Sequence, residues 1–275
     1  MLMLRFRILK FLLLIVVFQF QGIALFSQNN AKKSLEAILI VGHQEDGTNE
    51  AIERIDKIAV LLADNGIVCH KFYNDEANWS EIIKVAPKCS FLVYSGHGST
   101  MGVDGNFGGL CLNKMVSTET LLKELKLMPN ALVLFQSVCG GAGSSAGDNG
   151  DIGVQTAKNR VYNYAYPFFE VGAGAYFANN YIDGCFEFLE KFLGGSTVQS
   201  AYNEVTEFWT KIEFETDVEG YLGKKISVAS SDSKGTSTRI TYTNGVKKVE
   251  QIPTSKRYSI AYSGNPLLTL SMIKK

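Results

Sequence analysis

Three short runs in this chain hold no charged residue and almost no polar one: Ala37–Val41 (AILIV), Phe91–Tyr94 (FLVY) and Ala131–Gln136 (ALVLFQ). Each is followed by glycine or serine, and none is long enough for a helix of ordinary length. Unbroken apolar runs of this kind suit strands buried on both faces, which occur in parallel sheets covered by helices.

Between the runs the hydrophobic period changes. Asn49–Asn65 carries Ile52, Ile55, Ile58, Ala59 and Leu62 at helical spacing, with Gly66 placed as a C-cap. Ile67–Tyr73 alternates and reads as a second strand, and Trp79–Val85 as a short helix ended by Pro87. Phe107–Val116 suggests a small hairpin or flap, and Thr118–Leu127 a helix opened by a Ser-Thr cap. Farther on, Thr156–Glu170, Cys185–Leu193 and Val198–Trp209 have helical patterns, and Gly174–Asn179 reads as a fifth strand. A more polar stretch, about 214–255, is expected to be a strand-rich insertion with Thr243-Asn244-Gly245 as its turn. Tyr258–Ala261 and Leu267–Leu270 are expected to close the fold as a strand pair. Strands alternating with helices predict an α/β domain, a mostly parallel central sheet with helices on both faces.

The first residues read as a targeting signal. Arg5, Arg7 and Lys10 precede an apolar run from Phe11 that continues, with interruptions at Gln19, Gln21 and Gly22, to Phe26, and Ser27 is the small exit residue. Residues 1–27 are therefore expected to be a signal peptide that exports the chain to the periplasm or the cell exterior. The membrane is touched only through this segment if it stays uncleaved. Its removal takes three of the 27 basic residues and leaves 24 against 27 acidic, a net charge of −3. Neither balance has the basic excess of a dedicated nucleic-acid binder. The five cysteines (Cys69, Cys89, Cys111, Cys139, Cys185) are an odd number, so at least one thiol is free. None stands in a C-x-x-C pair, and His43, His70 and His97 lack metal-ligand spacing; neither a metal nor a cofactor is expected.

Ligands of open α/β sheets bind beyond the carboxyl ends of strands. Two strand ends here carry reactive side chains: His97 in Tyr94-Ser95-Gly96-His97-Gly98, and Cys139 in Gln136-Ser137-Val138-Cys139-Gly140-Gly141. Cys139 follows His97 by 42 positions, room for one helix and a flap, so the two strands are expected to be neighbours. Attack of sulfur on a carbonyl needs a thiolate, an imidazole and backbone donors for the oxyanion. Glycines beside both residues let backbone N–H groups approach a substrate, and Gly98 and Cys139 are the candidate donors.

A strand ending in His-Gly, a spacer and a strand ending in x-Cys-Gly resembles the caspase-like clan of cysteine peptidases, which includes caspases, gingipains, clostripain and legumain. Ser137-Val138-Cys139 looks closer to the gingipain and CHAT (caspase-like bacterial) branch than to the caspases. Val171-Gly172-Ala173-Gly174-Ala175, Gly195-Ser196-Thr197 and Ser263-Gly264-Asn265-Pro266-Leu267 are similar to the later half of that branch, with Asn265 where a closing Gly-Asp-Pro-x-Leu has aspartate. The likeness covers about residues 35–275. It implies a three-layer caspase-like (caspase-hemoglobinase) fold with a sheet of roughly six strands. It also implies a thiol endopeptidase acting on a peptide or protein substrate, with Cys139 as nucleophile and His97 as proton donor to the leaving amine. A catalytically inactive binding or scaffold protein of the same fold is the alternative.

Two further motifs fail on context. Gly143-Ser144-Ser145-Ala146-Gly147 matches the serine-hydrolase G-x-S-x-G, but all three histidines precede it and no strand leads into it. Gly96-His97-Gly98 is not completed to a dinucleotide loop, since Met101 stands where glycine is required. Substrate choice points to the loop after the first strand, Gly42-His43-Gln44-Glu45-Asp46-Gly47, where Glu45 or Asp46 would pair with an arginine or lysine side chain. A solvated acidic loop is the alternative, and Ser137 stands where clostripain-like members carry a substrate-reading aspartate. The Gly140–Gly153 stretch, with Asp148 and Asp151, is expected to be a mobile loop or a processing site.

Overall fold

The apolar runs form the centre of a sheet. A computed structural model describes residues 34–44, 47–101, 105–180, 183–215, 225–231, 235–244 and 246–273. The expected signal segment, Glu45 and Asp46 lie outside the described residues. Strand β1 (Glu36–Val41) pairs in parallel with β2 (Val68–Tyr73) on one side and β3 (Cys89–Ser95) on the other. β3 pairs in parallel with β7 (Ala131–Gln136), and β7 with β8 (Ala173–Asn179). The order then continues through antiparallel strands β13 (Arg257–Gly264), β10 (Lys225–Ser231) and β9 (Thr210–Glu215), giving eight strands in the order β2-β1-β3-β7-β8-β13-β10-β9. The protein is thus an α/β molecule built on a large, mostly parallel sheet.

Alternation along the strands splits the core in two. On one face Ile38, Leu92, Val133, Phe135 and Tyr176 meet α2 (Trp79–Val85), α3 (Thr118–Glu124) and α4 (Val154–Glu170). On the other, Leu39, Val93, Leu134 and Phe177 meet α1 (Thr48–Asp64), α5 (Gly184–Leu193), α6 (Val198–Val205) and α7 (Leu270–Ile273). The helices begin and end where local chemistry directs. Asn78, Ser117 and Thr197 each accept a backbone N–H as N-caps. Gly66, at φ 74, closes α1, with Gly66 N donating to Ala63 O and Ile67 N to Leu62 O, a Schellman ending.

Three features differ from expectation. The sheet has eight strands, not about six. Thr210–Glu215 and Lys225–Ser231 add two strands to it, and from the stretch expected to be an insertion the hairpin β11 (Gly235–Thr243) and β12 (Val246–Thr254) stands apart as a two-stranded sheet, turning at Asn244. β10 hides its burial behind serines: Ser227 is buried and satisfied by the Tyr202 hydroxyl 3.0 Å away. Leu267–Leu270 is not a strand. Pro266 has no N–H to give a ladder, and the Pro266 and Leu268 carbonyls instead accept from Gln199 N and Val198 N at the start of α6. Asn265 shapes this turn, its side chain accepting from Leu267 N at 3.0 Å. The flap is a three-stranded sheet of β4 (Gly98–Met101), β5 (Asn106–Cys111) and β6 (Met115–Ser117).

Candidate active site

β3 and β7 run side by side in parallel, so the segments carrying His97 and Cys139 leave the sheet at the same edge. They touch immediately. A Cβ at position 98 would overlap the carbonyl oxygen of Cys139 and come within 3.0 Å of its amide nitrogen. Gly98 therefore serves close approach of the two backbones, and no other residue fits there. His97 is exposed and Cys139 half-buried. Their side chains share no hydrogen bond with each other.

Three buried phenols hold this edge in place. Tyr94, on β3, donates to the His97 carbonyl at 3.0 Å and accepts from Cys111 N at 3.1 Å, tying the β3 end to the flap. Tyr164, on α4, donates to the Cys139 carbonyl at 2.8 Å. Tyr176, on β8, donates to the Gly141 carbonyl at 3.0 Å. Their rings and that of Phe135 form one cluster, with centroids 5.2 Å apart for Tyr94–Phe135 and for Phe135–Tyr176. Burial pushes all three hydroxyls well above the usual tyrosine range, so each stays a proton donor to its carbonyl.

The turn into Cys139 is strained. Ser137 sits at φ 58, a left-handed conformation that costs a residue with a Cβ about 1–2 kcal/mol. Neighbours enforce it. Ser137 N donates to Asn179 O at 2.7 Å, and the buried Gln136 amide donates to Ser137 Oγ at 2.9 Å while accepting from Asn179 Nδ2 and Cys185 N. Such strain, held by surrounding bonds, concentrates at functional sites. Here it sends Val138 into the core and leaves Cys139 at the surface of the edge.

The Gly140–Gly153 stretch, expected to be a mobile loop or a processing site, is held at several points. Arg160 pairs with Asp148 at 2.7 Å with both side chains nearly buried, and also donates to the Gly143 carbonyl. Asp148 accepts from Ser145 N, and Ser144 exchanges hydrogen bonds with the Tyr258 backbone. Asp151 accepts from the Ser255 and Lys256 amides. Ser145 lies on this fastened loop rather than on a strand-to-helix elbow.

All five cysteines are free. Burial raises the thiols of Cys69 and Cys111, and raises those of Cys89 and Cys185 further. At the β1 end, Gln44 donates to Ser95 Oγ at 3.1 Å, bringing the start of the first loop beside the end of β3. The phenol anchors and the Gln136–Asn179 pair escape sequence reasoning, because their partners lie 3 to 43 residues away along the chain. A tyrosine placed among aliphatic strand residues, as at Tyr94 and Tyr176, is the only hint. A scan against protein-family models finds no match to this chain, and a search of curated proteins finds none either.

Proposed function

We propose that the protein is an exported cysteine endopeptidase of caspase-like architecture, in which Cys139 attacks the peptide carbonyl and His97 protonates the leaving amine. The observation that carries this reading is the contact of Gly98 with the Cys139 backbone at the shared edge of two parallel strands. His97 directly precedes that contact and Cys139 makes it, and the two residues are exposed and half-buried respectively. The Gly98 and Cys139 amides are the proposed donors to the oxyanion, and water then hydrolyses the acyl-enzyme thioester. Arg5, Arg7, Lys10 and the apolar run after them support export. Glu45 and Asp46 are proposed to read arginine or lysine before the cut.

Fluorogenic peptides that differ only at that residue, combined with iodoacetamide labelling, test the proposal. Hydrolysis is expected to vanish in Cys139→Ala and in His97→Ala. Cys139 is expected to label first, since burial holds the other four thiols protonated. Uniform labelling together with no hydrolysis of any peptide overturns the reading and favours a binding protein. Equal turnover of arginine and leucine substrates, unchanged by Glu45→Ala with Asp46→Ala, removes the basic preference alone.

A further inference from the structure

A group of metal-seeking side chains gathers at the opposite end of the sheet from His97 and Cys139, where the parallel strands begin. Glu36 opens β1, Cys89 opens β3 and His70 lies near the start of β2. The parallel register sets Glu36 against Cys89 on one side, and Ile38 against His70 on the other. Strand alternation puts Glu36 and Ile38 on one face. In a regular strand Cys89 would share the face of Phe91, which packs with α1 and α5 on the far side. It does not, because the register slips by one residue between Glu36 and Ala37, and Cys89 joins Ile38, Ile82 and Ala86 instead. Bulges of this kind are rare in parallel pairs, and they re-aim a side chain.

The result is that Glu36 Oε, His70 Nε2 and Cys89 Sγ all lie within 4.8 Å of one another, with His70 Nε2 2.8 Å from Glu36 Oε2. Cys89 is buried, and the other two are partly buried.

We propose that Glu36, His70 and Cys89 bind a zinc-class divalent metal ion, with water in the fourth tetrahedral position. One carboxylate oxygen, one imidazole nitrogen and one thiolate sulfur form a borderline-soft donor set that suits zinc, whereas calcium and magnesium seek oxygen alone. Zinc bonds of about 2.0–2.3 Å hold tetrahedral donors roughly 3.3–3.6 Å apart. His70 Nε2 and Glu36 Oε2 would therefore separate by less than about 1 Å, and the thiol sulfur, no more than 4.8 Å from either, would close by at most about 1.5 Å. On binding, the Cys89 thiol gives its proton to solvent and the sulfur bonds the metal, while the His70–Glu36 hydrogen bond is exchanged for two metal bonds. No redox partner is needed. The ion would tie β2, β1 and β3 together at the end remote from Cys139. The three ligands come from three strands, so no short motif along the chain reveals them.

Titration of the purified, metal-free protein with cobalt(II), followed by zinc displacement, tests this site. One equivalent is expected to give tetrahedral cobalt bands and a thiolate-to-cobalt charge-transfer band that zinc abolishes. Cys139→Ala should keep both, and Cys89→Ala should lose the charge-transfer band. Glu36→Gln and His70→Gln should each weaken binding at least about tenfold, the smaller end of the loss when even an outer-shell partner is removed. A charge-transfer band that survives Cys89→Ala, or the absence of stoichiometric binding, overturns the proposal. If Cys89→Ala fails to fold, the other two variants decide: unchanged cobalt affinity in both overturns it. None of these readouts depends on peptide hydrolysis, so the site stands or falls apart from the proposed peptidase.

Discussion

The hydroxyl of Tyr164 reaches from the middle of α4 to the carbonyl oxygen of Cys139, 2.8 Å away, and so fixes the peptide that follows the candidate nucleophile. Tyr164→Phe removes that donor with little change of shape. It should cost about 1 kcal/mol of stability, and somewhat more if the buried carbonyl finds no substitute partner. Peptide turnover should fall several-fold in kcat with KM nearly unchanged, because the lost bond positions the thiol rather than the substrate. Steady-state kinetics beside urea unfolding checks both, and a change confined to KM would contradict the positioning role.

The same phenols give the protein an alkaline limit. Burial raises the hydroxyls of Tyr94, Tyr164 and Tyr176 above their value of about 10 in the unfolded chain. Their contribution is therefore complete below about pH 10 and is lost as pH rises beyond it, where the unfolded chain releases protons that the folded one retains. Each such group steepens the decline by up to about 1.4 kcal/mol per pH unit. Unfolding free energy measured in urea from neutral pH to about pH 11 should fall less steeply in Tyr164→Phe, by roughly one proton. An identical slope in the variant would refute the assignment.

Gly98→Ala should be severe where another glycine substitution is harmless. Its new methyl would occupy the space of the Cys139 carbonyl oxygen, so one backbone must move, at a cost of about 1–3 kcal/mol. Hydrolysis should drop at least tenfold, on the order of 1.4 kcal/mol or more in the barrier. At Gly153, the N-cap of α4, a Cβ would meet nothing within 4 Å, and Gly153→Ala should leave activity intact. Parallel assays of the two variants provide the comparison.

Asp148→Ala should leave a nearly buried guanidinium without its carboxylate partner. The Arg160 and Asp148 side chains are 13% and 6% exposed, and breaking such a pair from one side costs about 3 kcal/mol or more. Adding Arg160→Met should restore part of that loss. Urea midpoints with an unchanged m-value would report it as a stability effect.

The central strands were legible because burial on both faces leaves almost no polar position in their cores, as in AILIV of β1 and ALVLF of β7. His97 and Cys139 stood out because reactive side chains beside glycines follow those strands directly. Other features stayed hidden for physical reasons. β10 is buried through serines whose composition reads as surface, and Ser227 is tolerated only because Tyr202 supplies a partner from α6. The segment after Pro266 is apolar enough for a strand, yet its carbonyls are taken by α6 amides. The Tyr164–Cys139 bond joins residues 25 apart through tertiary packing alone. The face on which Cys89 lies depends on a single register slip, which no periodicity reveals.

The place of β13 in the sheet has a consequence for how the chain is made. β9 and β10 precede β13 along the chain, yet β10 reaches the parallel strands only through β13, which is inserted between it and β8. Until Arg257–Gly264 has emerged, β8 presents an open edge and the β9–β10 ribbon has no place in the sheet. An open edge is a template for pairing with other chains, so a nascent or truncated chain that stops short of Arg257 is exposed to misassembly during the interval in which five parallel strands are already complete. The last strand to be added is thus the one that closes the exposed edge of the parallel half of the sheet.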